Sequence, residues 1–237
     1  MDNLDLLKRF PEIGGEDYNL FKKAVPWHDD FQKKVGDFLS SYFSNREGRI
    51  TLVEAGTGTG LTTLVLLNSL ENTHIISVEN EPKMLAVARG SLKDFKDRVD
   101  FVENDILSAL KGMDSESVDG FASAYTIHNL PPDYRNELFV EISRVIKKDG
   151  IFVNADKYAR EGDAHVADLS EQIEDFNFFD GLGRSDLKEK WTKHYLEDDE
   201  IKITEKEQIE ILNELGFTNI ETIFRERLEA IIKAEKI

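Results

Sequence analysis

Five polar residues, Glu54, Glu79, Asp105, Ser123 and Asp156, stand at or just after the ends of successive apolar runs, and His128 follows the fourth run. After the first run comes Gly56-Thr57-Gly58-Thr59-Gly60, with a glycine at every second position. Such a turn takes positive φ and lets a ligand approach the backbone with no Cβ in the way. The next residues, Leu61 to Leu70, carry apolar side chains at helical spacing. Their first turn sets unpaired N–H groups beside the glycines. A flat, polar, partly anionic ligand suits that turn in general. Here the carboxylate of Glu54 at its head repels a pyrophosphate and favours positive charge. An imidazole at the same edge is able to take a proton from a nucleophile.

The elements that must hold these groups alternate. Strand-like runs occupy 50–54, 74–79, 99–103, 118–124 and 150–155. Helical patterns fill 61–70, 82–95, a short piece near 106–110, and 132–146, the last with Leu138, Ile142, Val145 and Ile146 on one face. Strands alternating with helices imply right-handed crossovers and a parallel sheet. The carboxyl ends of such strands share one edge, where open α/β sheets bind ligands. That edge gathers the five polar residues.

Residues 1–48 read as a helical cap over the mouth of the sheet. Leu4, Leu7 and Phe10 share a face that Pro11 and Gly14-Gly15 end; 18–25 forms a second short helix; Pro26 opens a longer one bearing Phe31, Val35, Phe38, Leu39 and Tyr42. Residues 157–203 break the strand–helix rhythm and read as an inserted helical pair. Leu169, Ile173 and Phe176 make one apolar face, and Leu187, Trp191 and Tyr195 the other. A helix over 205–215 closes at Gly216. Two final strands, near 219–225 and 228–234, are joined too closely to be parallel.

Composition narrows the function classes. The 237 residues suit one sizeable domain, and without cysteine there is no disulfide frame, thiolate nucleophile or thiolate metal site. A formal net charge of −17 disfavours nucleic acid, whose affinity rests on neutralising phosphates. The strip of Arg89, Lys93, Lys96 and Arg98 reads as a solvated helix face. No apolar run nears the roughly 20 residues that span a bilayer, and Met1-Asp-Asn-Leu-Asp is not a signal sequence. A cytoplasmic protein is expected.

Three nucleotide-binding patterns compete for the glycines. A phosphate-cradling loop needs a lysine, and the turn has none. A dinucleotide fingerprint needs a third glycine at position 61, which is Leu61. The third pattern, an acid followed by Gly-x-Gly-x-Gly, is met by Glu54, Gly56, Gly58 and Gly60. Over residues 50–235 the chain resembles the class I S-adenosylmethionine-dependent methyltransferases.

The resemblance implies a Rossmann-like α/β fold: a mostly parallel seven-stranded sheet with a C-terminal antiparallel hairpin. The core would be 49–156 and 204–237, with a cap at 1–48 and a lid-like insertion at 157–203, all one domain. It implies S-adenosyl-L-methionine as cofactor, with Glu54, Gly56, Thr57, Gly58 and Gly60 against its methionine part. Glu79, beside Asn80, would hold the ribose hydroxyls and Met84 would cover the adenine. Asn104, Asp105 and Ile106 would meet the adenine edge, and Ser123 would face cofactor and substrate. Ala124 departs from the polar residue that many members carry there.

Methyl transfer is in-line displacement at an activated carbon, so alignment supplies much of the rate, roughly 7–11 kcal/mol. His128 is the candidate base for an acceptor that carries a proton. Tyr18, Trp27 and His28 from the cap, and Asp156, Tyr158 and His165 at the start of the insertion, are candidate substrate contacts. No histidine pair has metal-ligand spacing, so no metal is expected. A small-molecule acceptor is the leading reading. The alternatives are a transfer-RNA wobble-uridine-type carboxymethyl transferase and a cofactor-binding protein without catalysis. The oligomeric state stays open, a dimer included.

Overall fold

A computed structural model describes residues 15–237, with side chains from Asp17 onward. The helix expected around Leu4, Leu7 and Phe10 lies outside the described residues. Seven strands form one sheet: β1 (Ile50–Ala55), β2 (Thr73–Glu79), β3 (Val99–Glu103), β4 (Val118–Ala124), β5 (Ile146–Lys157), β6 (Phe217–Glu226) and β7 (Glu229–Lys236). Their order is β3-β2-β1-β4-β5-β7-β6, parallel from β3 to β5 and antiparallel at β5–β7 and β7–β6. The order reverses between β1 and β4, so a crevice opens there at the carboxyl edge.

Ten helices accompany the sheet among the described residues: α1 (Gly15–Ala24), α2 (His28–Tyr42), α3 (Leu61–Ser69), α4 (Pro82–Ser91), α5 (Ile106–Lys111), α6 (Pro132–Val145), α7 (Asp163–Asp175), α8 (Asn177–Gly181), α9 (Ser185–Asp199) and α10 (Glu205–Glu214). The central strands are apolar on both faces because helices cover both. One core joins Val53, Phe121 and Phe152 to Leu138, Phe139 and Ile142 of α6 and Leu212 of α10. The other joins Leu52, Ile75 and Ile151 to Leu66 and Leu67 of α3 and to Phe31, Val35 and Leu39 of α2.

Two expectations change here. Helix α2 is no cap over the mouth. Its stripe of Phe31, Val35 and Leu39 is wide enough to join a sheet-face core, and it packs on α3 where Gly36 leaves room for Ser69. Of the described cap, α1 lies over the site, and α2 reaches it from behind through His28 and Phe31 against Tyr125. The insertion is three helices rather than two, since 3-10-like closure around Phe176 sets off α8 between α7 and α9.

The lid has a core of its own. Phe21, Ala24 and Val25 at the end of α1 pack with Phe176, Phe179, Leu187, Trp191 and Tyr195 of the insertion. The rings of Phe21 and Trp191 stack with centroids 4.1 Å apart. The N-terminal helix and the insertion are therefore one roof.

Candidate active site

The glycine turn is held from both sides. Gly56, Gly58 and Gly60 take φ of 74°, 53° and 88°. A Cβ on Gly56 would lie 2.0 Å from Oγ1 of Thr126, so this turn and the segment after β4 touch there. No atom comes within 4 Å of a Cβ position on Gly58, so the turn keeps an open face. The Glu79 carboxylate accepts from the backbone N–H of Gly58 at 2.8 Å and of Glu81 at 2.9 Å. It ties the end of β2 to the turn.

Glu54 is fully buried. Its Oε2 accepts from the hydroxyls of Thr63 (2.6 Å) and Ser77 (2.8 Å), while Oε1 has no hydrogen-bond partner. Burial pushes its carboxyl up to about 7, against the hydrogen bonds from Thr63 and Ser77. Burial raises Glu79 as well. The Oγ of buried Ser123 is also unpartnered. Further along the edge, Asp105 caps α5 through Ser108 N–H and accepts from the Tyr134 hydroxyl. Met84 and Ile106 are buried, whereas Asn80 and Asn104 are exposed.

The segment after β4 carries His128, the candidate base. Tyr125 has φ of 52°, a left-handed conformation that costs a non-glycine residue on the order of 1–3 kcal/mol. Its ring is clamped: His28 stacks on it at 5.4 Å with 2° between planes, and Phe31 lies 5.1 Å away. The chain then closes into a 3-10 turn, Ile127–Asn129, which aims His128 at the end of β5. There Asp156 accepts from the His128 backbone N–H at 2.9 Å and pairs with Nδ1 through its other oxygen. Asn154 Nδ2 and the Lys157 N–H hold Asp156 in turn. Nε2 of His128 is left without a hydrogen bond, 3.4 Å from Oδ2 of Asp198.

Asp198 comes from α9 of the roof. The same oxygen pairs with Nζ of Lys157 and stands 3.3 Å from Nε2 of His194. Burial opposes the charge, yet Lys157 first, then His194 and His128, keep its carboxyl far below the usual range. Nζ of Lys157 also lies 3.7 Å from the centre of the Tyr195 ring. His128, His194 and Asp198 bring their donor atoms within 4.8 Å of one another. His194 and Asp198 stand four apart, one turn of α9, and His128 joins them only in the fold. The Lys157 ammonium pairs with Asp198 within this group.

The candidate substrate contacts divide. Tyr18 of α1 lies where Glu79 and Asp156 both act on its phenol, after burial, to raise it. It bridges the cofactor side and the histidine side. Asp156 is committed to His128. The Tyr158 hydroxyl donates to Gln208 (2.9 Å) and accepts from Asn154 (2.7 Å), so only its ring faces the cleft near Asp198. His165 pairs with Asp199 at the outer end of that cleft. His28 backs Tyr125 and bonds Gln32, with its imidazole lowered by burial, and Trp27 lies under the Arg227 guanidinium.

Residues 52–150 match the family described as a methyltransferase domain. That stretch carries the methyltransferase-domain match, on a Rossmann-like seven-stranded fold. Its cofactor is S-adenosylmethionine. The residues present fit that cofactor: an open glycine turn, an unpartnered buried carboxylate oxygen on Glu54, and Glu79 at the end of β2. Among curated proteins the chain is similar to carboxy-S-adenosyl-L-methionine synthases. That of Nautilia profundicola is 25% identical over 207 residues, 87% of this chain and 85% of the relative. That of Sulfurimonas denitrificans is 27% identical over 211 residues, with the same coverage. Among solved structures, the CurJ carbon methyltransferase superposes with a TM-score of 0.67 at 18% identity, covering 98% of this chain and 66% of that one. A Methanococcus maripaludis structure described as a putative S-adenosylmethionine-dependent methyltransferase gives 0.57 at 16% identity, covering 95% and 94%. These structures share the fold.

Tyr125, Lys157, Asp198 and Glu229 were not singled out from the sequence, and His194 was weighed only as a metal ligand and set aside. Asp198 left a trace: it continues the stripe Leu187, Trp191, Tyr195 at position i+3, a charge in register with an apolar face.

Proposed function

We propose that this chain methylates a small-molecule acceptor, with His128 as general base and Asp156 as the group that orients it. The pairing of His128 Nδ1 with a buried carboxylate beside the glycine turn carries this reading. The bound cofactor supplies a methyl carbon already activated as a sulfonium. Glu54 and Ser123 offer free polar atoms toward it, and Glu79 is the expected ribose partner. Asp156 sets the imidazole so that Nε2 faces away from β5 and stabilises the positive charge it gains on taking a proton. The roof of α1 and α7 to α9 keeps water from the reacting atoms.

The test joins calorimetry with turnover. S-adenosylhomocysteine should bind, and a metabolite extract with methyl-labelled cofactor should yield a labelled product. His128→Ala and Asp156→Asn should each lower the rate about a hundredfold or more while leaving cofactor binding intact. A labelled product formed equally fast by both variants would remove the base from the mechanism.

The names of the curated relatives favour a second reading, synthesis of a carboxylated form of the cofactor. Such a product sets a carboxylate beside the sulfonium and calls for a cation to receive it. The Lys157 ammonium is already neutralised by Asp198, which weighs against this reading. Mass analysis of the cofactor after incubation with the same extract separates the two.

A further inference from the structure

Three buried carboxyl groups gather around His128 and Lys157. Asp156, Asp198 and Glu229 are each at least nine-tenths buried. Lys157 is the ammonium among them, and Asp198 holds it. Glu229 accepts from Gln172 Nε2 at 2.7 Å through Oε1, and the Trp27 indole also favours its ionised form. Burial raises Glu229 to about 7, an acid held short of a counter-charge, and Lys157 is what pulls it back. Glu229 and Asp156 both act on the Tyr125 phenol, so the acids surround one region.

That region is walled by rings. Tyr18 and Phe21 meet Trp191, Phe21 meets Tyr125, and Tyr195 completes the set. Aromatic faces backed by carboxylates attract alkylammonium ions. The protein demonstrates the preference itself, since Lys157 lays its ammonium over the Tyr195 ring against Asp198. A narrow cleft runs from the surface at His165, Asp199 and Lys202 to His128, with Tyr195 and Asp198 in its walls. At its inner end Nε2 of His128 lies buried, 3.4 Å from Oδ2 of Asp198.

We infer that the methyl acceptor is an amine that enters as its ammonium ion, held by these acids and rings. The inference rests on the methyltransferase reading above and names its substrate class. The ammonium gives one proton to Nε2 of His128, and the N–H electron pair stays on nitrogen. That pair forms the new N–CH3 bond as the C–S bond breaks with its electrons going to sulfur. The products are an N-methylammonium and S-adenosylhomocysteine, and the His128 proton passes to solvent. A carboxylate acceptor would meet the carboxylates of Asp156 and Asp198 at the same place.

Binding and turnover test this together. With the protein saturated by S-adenosylhomocysteine, calorimetry compares 2-phenylethylammonium, 2-phenylethanol and 3-phenylpropionate. The ammonium should bind about tenfold or more tighter than the alcohol, and the carboxylate weakest, as cation–π and charge pairing require. Asp198→Asn leaves Lys157 uncompensated and should invert the order, weakening the ammonium and strengthening the carboxylate. Glu229→Gln should weaken the ammonium alone, and serves if Asp198→Asn does not fold. In the extract assay, once charcoal has removed the labelled cofactor, the labelled product should stay on a cation exchanger at neutral pH. Label in the neutral or anionic fraction overturns the amine and leaves the methyltransferase standing. Amine-selective binding with no product supports the amine site and defeats the transfer. Neither selectivity nor product overturns both.

Discussion

Glu54 should make cofactor binding release a proton. In the ligand-free protein its carboxyl lies at about 7, because burial outweighs the hydrogen bonds from Thr63 and Ser77. Its buried Oε1, without a hydrogen bond, is the atom expected to meet the ammonium of the cofactor's amino-acid end. Meeting that ammonium favours the ionised carboxylate. At pH 6 an acid of this kind is about nine-tenths protonated, and at pH 8 about one-tenth. Binding at pH 6 must therefore expel about 0.9 proton, and affinity should be about tenfold weaker than at pH 8, roughly 1.4 kcal/mol. Calorimetric titration of S-adenosylhomocysteine at pH 6 in buffers of different ionisation enthalpy reads the proton count from the slope. Glu54→Gln should flatten that slope and level the affinity between pH 6 and 8. A slope of zero in the unmodified protein would show that Glu54 does not exchange its proton with the ligand.

Other outcomes follow from the same contacts. Glu79→Ala should weaken cofactor binding by about 1–3 kcal/mol, losing both the expected ribose partner and the tie to Gly58 N–H, as read by calorimetry. Gly56→Ala faces φ of 74° and the Thr126 hydroxyl, so cofactor affinity should fall by a similar about 1–3 kcal/mol with a lower melting temperature. Trp191→Ala removes the ring stacked on Phe21 and should cost up to about 3–5 kcal/mol, seen as lost hydrogen-exchange protection in α1 and α9. Glu229 bears on stability. The folded protein holds its proton up to about 7, whereas the unfolded chain loses it near 4.5. Between those values the folded state binds more protons, so stability falls as pH rises through that window, by on the order of 3 kcal/mol. Glu229→Gln should remove that part of the decline in a pH series of melting temperatures.

The alternation of runs from Ile50 to Ala234 determined the sheet, because a strand buried on both faces must read as continuous apolar sequence. The reading of 118–124 and 99–103 matches β4 and β3 to the residue. Gly56, Gly58 and Gly60 marked the turn because only glycine takes φ above zero at three alternate positions with ease. Glu54 and Glu79 were legible by place, at the ends of the first two strands. The roof was half legible. Its apolar faces showed in the sequence, but periodicity tells which side of a helix is buried and not what covers it.

The acceptor side came only from folding. His128 stood out as a histidine after a strand, yet its partners lie 28 and 70 positions on, at Asp156 and Asp198, in elements that meet only when the roof closes. Local spacing carries no record of such contacts. The same holds for Lys157 against Tyr195, and for Glu229 against the Tyr125 phenol. Sequence by itself thus determined the expected cofactor seat, because it is one continuous turn with strand ends beside it. The surroundings of His128, where the acceptor is proposed to lie, are assembled from α1, β5, α9 and β7, and tertiary packing alone decided which charges and rings would face one another.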